Sequence, residues 1–177
     1  MTNFIRMTSL AATVAAMALS TPALAAPGAP VGPSDKDATA TVRVVKPLTL
    51  AWKQDLDLGT VVLGAGTWSG ADVGIGKDKV FSCSNTNVTC SGTPTTAEYT
   101  ITGTNQQVVT VNASDVTLKN VLDNTKTLLL TVDKPATVNL GNSGSAGYVL
   151  DLGGKVTLAS DTVDGTYSGT FAVTVNY

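Results

Sequence analysis

Histidine is absent from this chain, and that omission removes a large part of enzyme chemistry. Ser–His–Asp and Cys–His nucleophilic mechanisms both need an imidazole base. Charge is scarce as well: Asp, Glu, Lys and Arg make up 14% of the 177 residues, with a net charge of −2. No basic cluster is present to follow a phosphate backbone, so nucleic acid is excluded as a partner. Glu98 is the only glutamate. Beyond the first residues Thr, Val, Gly, Ser and Asn dominate, a composition suited to strands and turns and poor in helix formers. Long apolar runs are missing too. The most concentrated one, Leu10 to Ala18, is about half the roughly twenty residues that a bilayer-spanning helix requires.

That short run reads as the apolar centre of a secretory signal. Arg6 lies before it and Ala23-Leu24-Ala25 follows it as a small-residue cleavage site. Residues 1–25 are therefore expected to be an export signal, and the mature protein not to be membrane-integral. Residues 26–37, with Pro27, Pro30 and Pro33, read as a flexible or polyproline-like leader. Residues 38–177 are long enough for one domain with its own core.

Alternation with a period of two runs through that domain. Ala38, Ala40, Val42 and Val44 share one face of an expected strand that Pro47 interrupts. Leu48, Leu50 and Trp52 resume the pattern, and Asp57 to Leu63 forms a further strand with Gly59 as a bulge. The glycine-rich stretch 64–76 reads as a loop or a loosely paired hairpin around Trp68. Residues 98–102 and 107–111 flank a Gly103-Thr-Asn105 turn and predict a hairpin. Residues 127–132 and 137–140 are shorter candidates, and residues 148–158 are two strands or one kinked at Gly153-Gly154. In the last stretch Tyr167, Gly169, Phe171, Val173, Val175 and Tyr177 fall on one face of an extended strand. Residues 115–134 are the only helical competitor, and their Thr, Asn and Asp content argues against it. Many short strands without a convincing helix predict an all-β, immunoglobulin-like antiparallel β-sandwich.

Cys83 and Cys90 are the only cysteines. In an exported chain they are expected to form a structural disulfide across a short turn. Two thiols are too few for a metal site, and the spacing is not the C-x-x-C of a redox pair. Asp55 and Asp57, two apart, are the one conceivable carboxylate pair, read here as a solvated loop before a strand. Gly74-Ile-Gly76-Lys77-Asp78 fails as a phosphate loop because no helix follows it. Asn87-Val-Thr and Asn112-Ala-Ser read as chance glycosylation matches. Trp52 and Trp68 read as packing residues, with a sugar-stacking platform as the alternative. No catalytic residue, metal or cofactor is expected, and the chain is read as a non-enzyme.

Several segments together resemble a known group. They are Lys46-Pro47-Leu48-Thr49-Leu50, Leu56-Asp57-Leu58-Gly59-Thr60, the stretch from Glu98 to Gly103, and the closing Gly165-Thr-Tyr-Ser-Gly-Thr-Phe-Ala-Val-Thr-Val-Asn-Tyr177. In this order they resemble the bacterial domain of unknown function 4402 family, which is similar to archaic chaperone–usher pilins and the spore-coat-U group. The resemblance implies a sandwich lacking its last strand, which a periplasmic chaperone supplies in transit and a neighbouring subunit supplies in the assembly. Ala38, Ala40, Val42 and Val44 would then be the donated strand. Tyr167, Gly169, Phe171, Val173, Val175 and Tyr177 would line the acceptor groove, with the Tyr177 carboxylate as the chaperone's anchor. The implied protein is a secreted pilin-like structural subunit, a homopolymer or a partner of related subunits, passing the periplasm and an outer-membrane usher to a fibre or coat at the cell surface. The alternative is a stand-alone, self-complemented secreted sandwich with an adhesive or carbohydrate-binding role.

Overall fold

The computed structural model describes residues 38–142 and 146–177, so the expected signal (1–25) and leader (26–37) lie outside the described residues. The chain divides into two units, Met1–Thr41 and Val42–Tyr177. Of the first, residues 38–41 are described and carry no regular structure. The second is all-β and antiparallel, and no helix occurs among the described residues.

In chain order the strands are β1 (Thr49–Gln54), β2 (Thr60–Leu63), β3 (Ala71–Ile75), β4 (Phe81–Ser82), β5 (Val88–Ser91), β6 (Ala97–Thr102), β7 (Val108–Ala113), β8 (Val116–Asn120), β9 (Thr127–Asp133), β10 (Thr137–Asn139), β11 (Tyr148–Leu158), β12 (Tyr167–Ser168) and β13 (Val173–Asn176). The larger sheet runs β1-β6-β11-β9-β8-β12, with β3 on β11 and β4 on β3. A smaller sheet runs β10-β7-β13, and β2 pairs with β5. Among the principal strands β1, β6, β7, β9, β11 and β13, the first, second, fifth and fourth share the large sheet. The third and sixth share the small one. That is the immunoglobulin-like order with no strand after the sixth among the described residues.

Two apolar clusters fill the space between the layers. In the first, Ala97 and Ile101 of β6 and Leu150 and Leu152 of β11 meet Val109 and Val111 of β7, Val138 of β10, and Leu140. The second gathers Ala71, Val73, Val88, Leu130, Val156 and Leu158, with Leu56 and Phe171 packing against both. Each fully buried aliphatic side chain contributes about 1.5–3 kcal/mol. Strand β11 joins the two halves: it pairs with β6 through Leu152, then with β9 from Gly153 and with β3 from Gly154. The expected kink at Gly153-Gly154 is thus a change of partners within one strand. A Cβ on Gly154 would stand 2.7 Å from Leu56 Cδ2 and 3.0 Å from Leu130 Cδ1, so only glycine fits under the core there.

Several expectations need correction. Residues 98–102 and 107–111 do not form a hairpin: β6 and β7 belong to different sheets. Ile101 and Val109 are both fully buried, so the two strands meet face to face across the core, which hides more apolar surface than edge pairing would. The glycine-rich stretch 64–76 contains β3, a strand buried on β11. Residues 116–120 form β8, a strand inside the stretch 115–134 that offers only a poor helix by its spacing. The closing stretch is not one strand: β12 pairs with β8 in the large sheet, and β13 pairs with β7 in the small one. Gly169 to Ala172 carry the chain between the layers. Residues 38–48 hold no strand, because alternation alone makes no ladder without a hydrogen-bonding neighbour.

The disulfide joins Cys83, just after β4, to Cys90 in β5, with Cα atoms 6.3 Å apart. Both cysteines pack against the second cluster. At Gly59 the backbone takes φ +74°, and a Cβ would sit 2.6 Å from the Ser91 carbonyl oxygen. That close approach lets β2 pair with β5 beginning at Thr60 and Ser91.

Candidate functional site: the open side of the sandwich

Strand β13 pairs with β7 on one side only, and β1 pairs with β6 on one side only. These two edges belong to opposite sheets, and both send side chains to the same cluster. Interior strands bury theirs: Ile101, Val109 and Leu152 are fully covered. Leu48 and Leu50, at and before β1, and Phe171, Val173 and Val175, at and before β13, remain only partly buried. The core is thus sealed in its middle and thinly covered along the side where β1 and β13 are the last strands.

Tyr177 closes one end of this side. Its hydroxyl donates to the Lys46 carbonyl at 2.7 Å and accepts from the Thr104 amide at 3.0 Å. The Lys46 amide donates to Thr104 Oγ1 at 2.6 Å. A Cβ placed on Gly103 would touch the Tyr177 hydroxyl at 2.7 Å and Leu48 Cδ1 at 3.1 Å, so the two edges converge here. Upstream, Arg43 Nη2 donates to Gln107 Oε1, and the segment before β1 leaves over the β6–β7 turn. There Val42 is 85% exposed and Val44 82%.

Trp52 stands toward the other end. It shares the face of Leu48 and Leu50 by alternation and lies opposite Tyr99, a residue packed on the first cluster. Yet it is 60% exposed, held by an Nε1–H bond to Asp55 Oδ1 at 2.9 Å. Burial, then the charge on Asp55, raise the Tyr99 phenol above its usual value. Trp52 is not among the candidate groove residues, and only its alternation with Leu48 and Leu50 and its place opposite Tyr99 set it on this side.

The six residues expected to line an acceptor groove are divided. Phe171, Val173, Val175 and Tyr177 flank this side. Tyr167 sits in β12 and donates to the Val163 carbonyl at 2.7 Å, and a Cβ on Gly169 would meet Leu118 of β8. The remaining candidates are tied up locally. Asp57 accepts from the Gly59 amide at 2.8 Å and its backbone bridges Thr95. Trp68 donates to the Gly64 carbonyl at 3.0 Å and packs on the second cluster, so the two tryptophans lie against different parts of the fold. A shallow depression of about 500 Å³ over β3, β9 and β11 is lined by Asp72, Asp78, Asp133 and Lys155. Lys155 pairs with Asp72 at 2.9 Å and Lys77 with Asp133 at 3.0 Å. Bonds from Thr157 and Lys155 lower the Asp72 carboxyl. Lys79 reaches Asp151 at 3.1 Å and Glu98 at 3.6 Å, chiefly by the Asp151 bond staying protonated to higher pH. Such an ammonium is no nucleophile. Among the described residues no group of three or more His, Cys, Asp or Glu could hold a metal ion.

The family model described as a domain of unknown function (DUF4402) matches residues 48–177, the whole stretch from Leu48 through β13. The chain belongs to the DUF4402 family. No curated protein and no solved structure matches it. The DUF4402 region begins at Leu48, so the exposed Val42 and Val44 lie just before it, whereas both edges, Trp52 and the Tyr177 clamp on Thr104 lie within it.

Proposed function

We propose that this DUF4402 protein is an exported, pilin-like structural subunit that assembles into a surface fibre or coat by β-strand complementation. The acceptor is the free edge of β13, and the donor is residues 38–45 of a second copy. One observation carries the reading: β13, with Val173 and Val175 half covered, has a neighbour on one side only, while Val42 and Val44 stand exposed on a segment with no partner strand. An added antiparallel strand would satisfy the ladder and cover the core together.

Side-chain burial does not carry the association by itself. Burying Ala38, Ala40, Val42 and Val44 contributes about 4–8 kcal/mol gross. Association costs an estimated 4–15 kcal/mol in lost freedom. Backbone hydrogen bonds along the whole edge must therefore supply the surplus. An unfilled edge of this kind also invites wrong pairing, so a periplasmic chaperone that covers it, and an outer-membrane usher that receives the subunit, belong to the proposal. The Cys83–Cys90 disulfide supports passage through an oxidising compartment.

The test is multimer formation by purified protein beginning at residue 26. Multimers that resist SDS at room temperature, dissociate on heating and vanish when residues 38–45 are deleted are expected. A folded, strictly monomeric protein at high concentration would overturn the proposal.

A further inference from the structure

We infer that the outer face of the small sheet is a second contact surface, which lays one copy of this chain against the same face of another and so bundles assembled multimers side by side. This rests on the strand-complementation reading above, which supplies the multimers. The contact itself uses a face that strand addition at an edge leaves open.

The three strands of this sheet, β7, β10 and β13, contain no Asp, Glu, Lys or Arg. Each of β1, β3, β6, β8, β9 and β11 contains at least one. Alternation sends Val109, Val111 and Val138 into the core and leaves the other half of each strand outside. There Thr110 pairs with Thr137 on one side and with Asn176 on the other. Val108 lies opposite Asn139, and Asn112 opposite Thr174. All of these are exposed. Arg43, on Gln107, and Lys134, on the Val111 carbonyl, stand outside the strands.

The outer face of the large sheet differs in kind. There Lys155 pairs with Asp72, Thr157 donates to Asp72 Oδ1, and Lys77 pairs with Asp133. On the small sheet, among the described residues, no side-chain hydrogen bond engages Thr110, Thr137, Thr174, Asn112 or Asn176. Hydroxyl and amide groups both donate and accept. A patch made of them is complementary to a copy of itself, which a two-fold contact requires. A charged patch fails that condition, because like charges meet across the axis.

Area decides when the contact forms. With strands about 4.8 Å apart and about 3.4 Å per residue, three strands and the six residues of β7 span about 14 Å by about 20 Å. That is about 280 Å², against the roughly 800 Å² that each partner commits to a stable interface. Two free copies therefore do not hold together by it. Copies already joined in one multimer present many such faces, and each contact after the first forms at a raised effective concentration. Strand exchange comes first, and bundling follows.

Purified protein beginning at residue 26 is assembled and divided between two readouts. An unheated SDS gel scores strand exchange; low-speed pelleting with electron microscopy scores bundling. Thr110→Lys should keep the SDS-resistant ladder and lose at least about tenfold in pelleted protein, because like charges set across a contact cost at least that factor. In about 1 M salt, where the screening length falls to about 3 Å, its bundling should return. Thr117→Lys, the same change on the exposed face of β8 in the large sheet, should pellet like the unmodified protein. Unchanged pelleting of Thr110→Lys, or an equal loss in Thr117→Lys, overturns this contact and leaves strand exchange intact. Dispersed multimers that instead bind an insoluble neutral glucan overturn it too, and assign the face to polysaccharide. Absence of the ladder from the unmodified protein overturns the reading beneath, and bundling with it.

Discussion

Asn120 is the buried polar residue that ties the turn after β8 to the loop before β12, and replacing it should be costly. Its side chain is 1% exposed. Nδ2 donates to the Asp164 carbonyl at 2.9 Å, while Oδ1 accepts from the amides of Leu122 at 2.9 Å and Asp123 at 3.3 Å. Three backbone groups on two loops thus share one amide, and Asn120 pairs with Tyr167 where β12 joins β8. A Cβ on Gly165 would sit 2.5 Å from Nδ2, so the loop was built around this side chain. Asn120→Ala strips all three partners. Each deserted group costs about 1–3 kcal/mol when dry, but Leu122, Asp123 and Asp164 are themselves exposed. Water therefore recovers part of the loss, and the expected destabilisation is about 2–4 kcal/mol, or roughly 8–15 °C in Tm for a domain of this size. Asn120→Asp keeps the acceptor for both amides but sets a carboxylate against the Asp164 carbonyl. It should be at least as damaging at neutral pH and improve as acid restores a donor proton. Urea titrations followed by circular dichroism measure both variants. An Asn120→Ala loss below about 1 kcal/mol would refute the reasoning.

Two further outcomes follow from geometry already described. Replacing Cys83 and Cys90 by serine opens a short loop and should cost about 2.5 kcal/mol by chain entropy, read as a lower urea midpoint; the unmodified protein should show no free thiol on unfolding without reductant. Asp133 is held below the usual carboxylate range, first by the Lys77 amide at 2.9 Å and then by the Lys77 ammonium. A folded-state value below the unfolded one means stability is present above the ordinary carboxylate pKa and lost as pH falls through the folded value. Asp133→Asn should therefore flatten the decline in stability below about pH 4, measured by thermal melts across an acid series.

Much of the fold was legible because alternation is a local property. Residues 148–158, 127–132 and 137–140 each carried their strand in their own spacing. What sequence could not supply was partnership. Gly103 suited a tight turn equally well whether β6 and β7 paired edge to edge or faced each other, and only the shared core distinguishes the two. The closing stretch kept perfect alternation across a change of sheet at Gly169, so Tyr167 looked like a neighbour of Val173 when it is not. Strand β3 hid among glycines although Ala71 and Val73 sit in the core, because Gly74, which lies against the Gly154–Lys155 backbone, interrupts the apolar–polar alternation that would mark a strand. The open side was half legible. Val173 and Val175 announced an apolar face, but the exposure of Trp52 breaks the alternation that groups it with Leu48 and Leu50, and no spacing records that.

The change of partners along β11 also governs how the molecule comes apart. A strand that is hydrogen-bonded to β6 at one end and to β3 and β9 at the other acts as a common spine. Neither half can melt while the other holds that spine straight, so warming should produce a single calorimetric peak with no half-folded species for proteases to find.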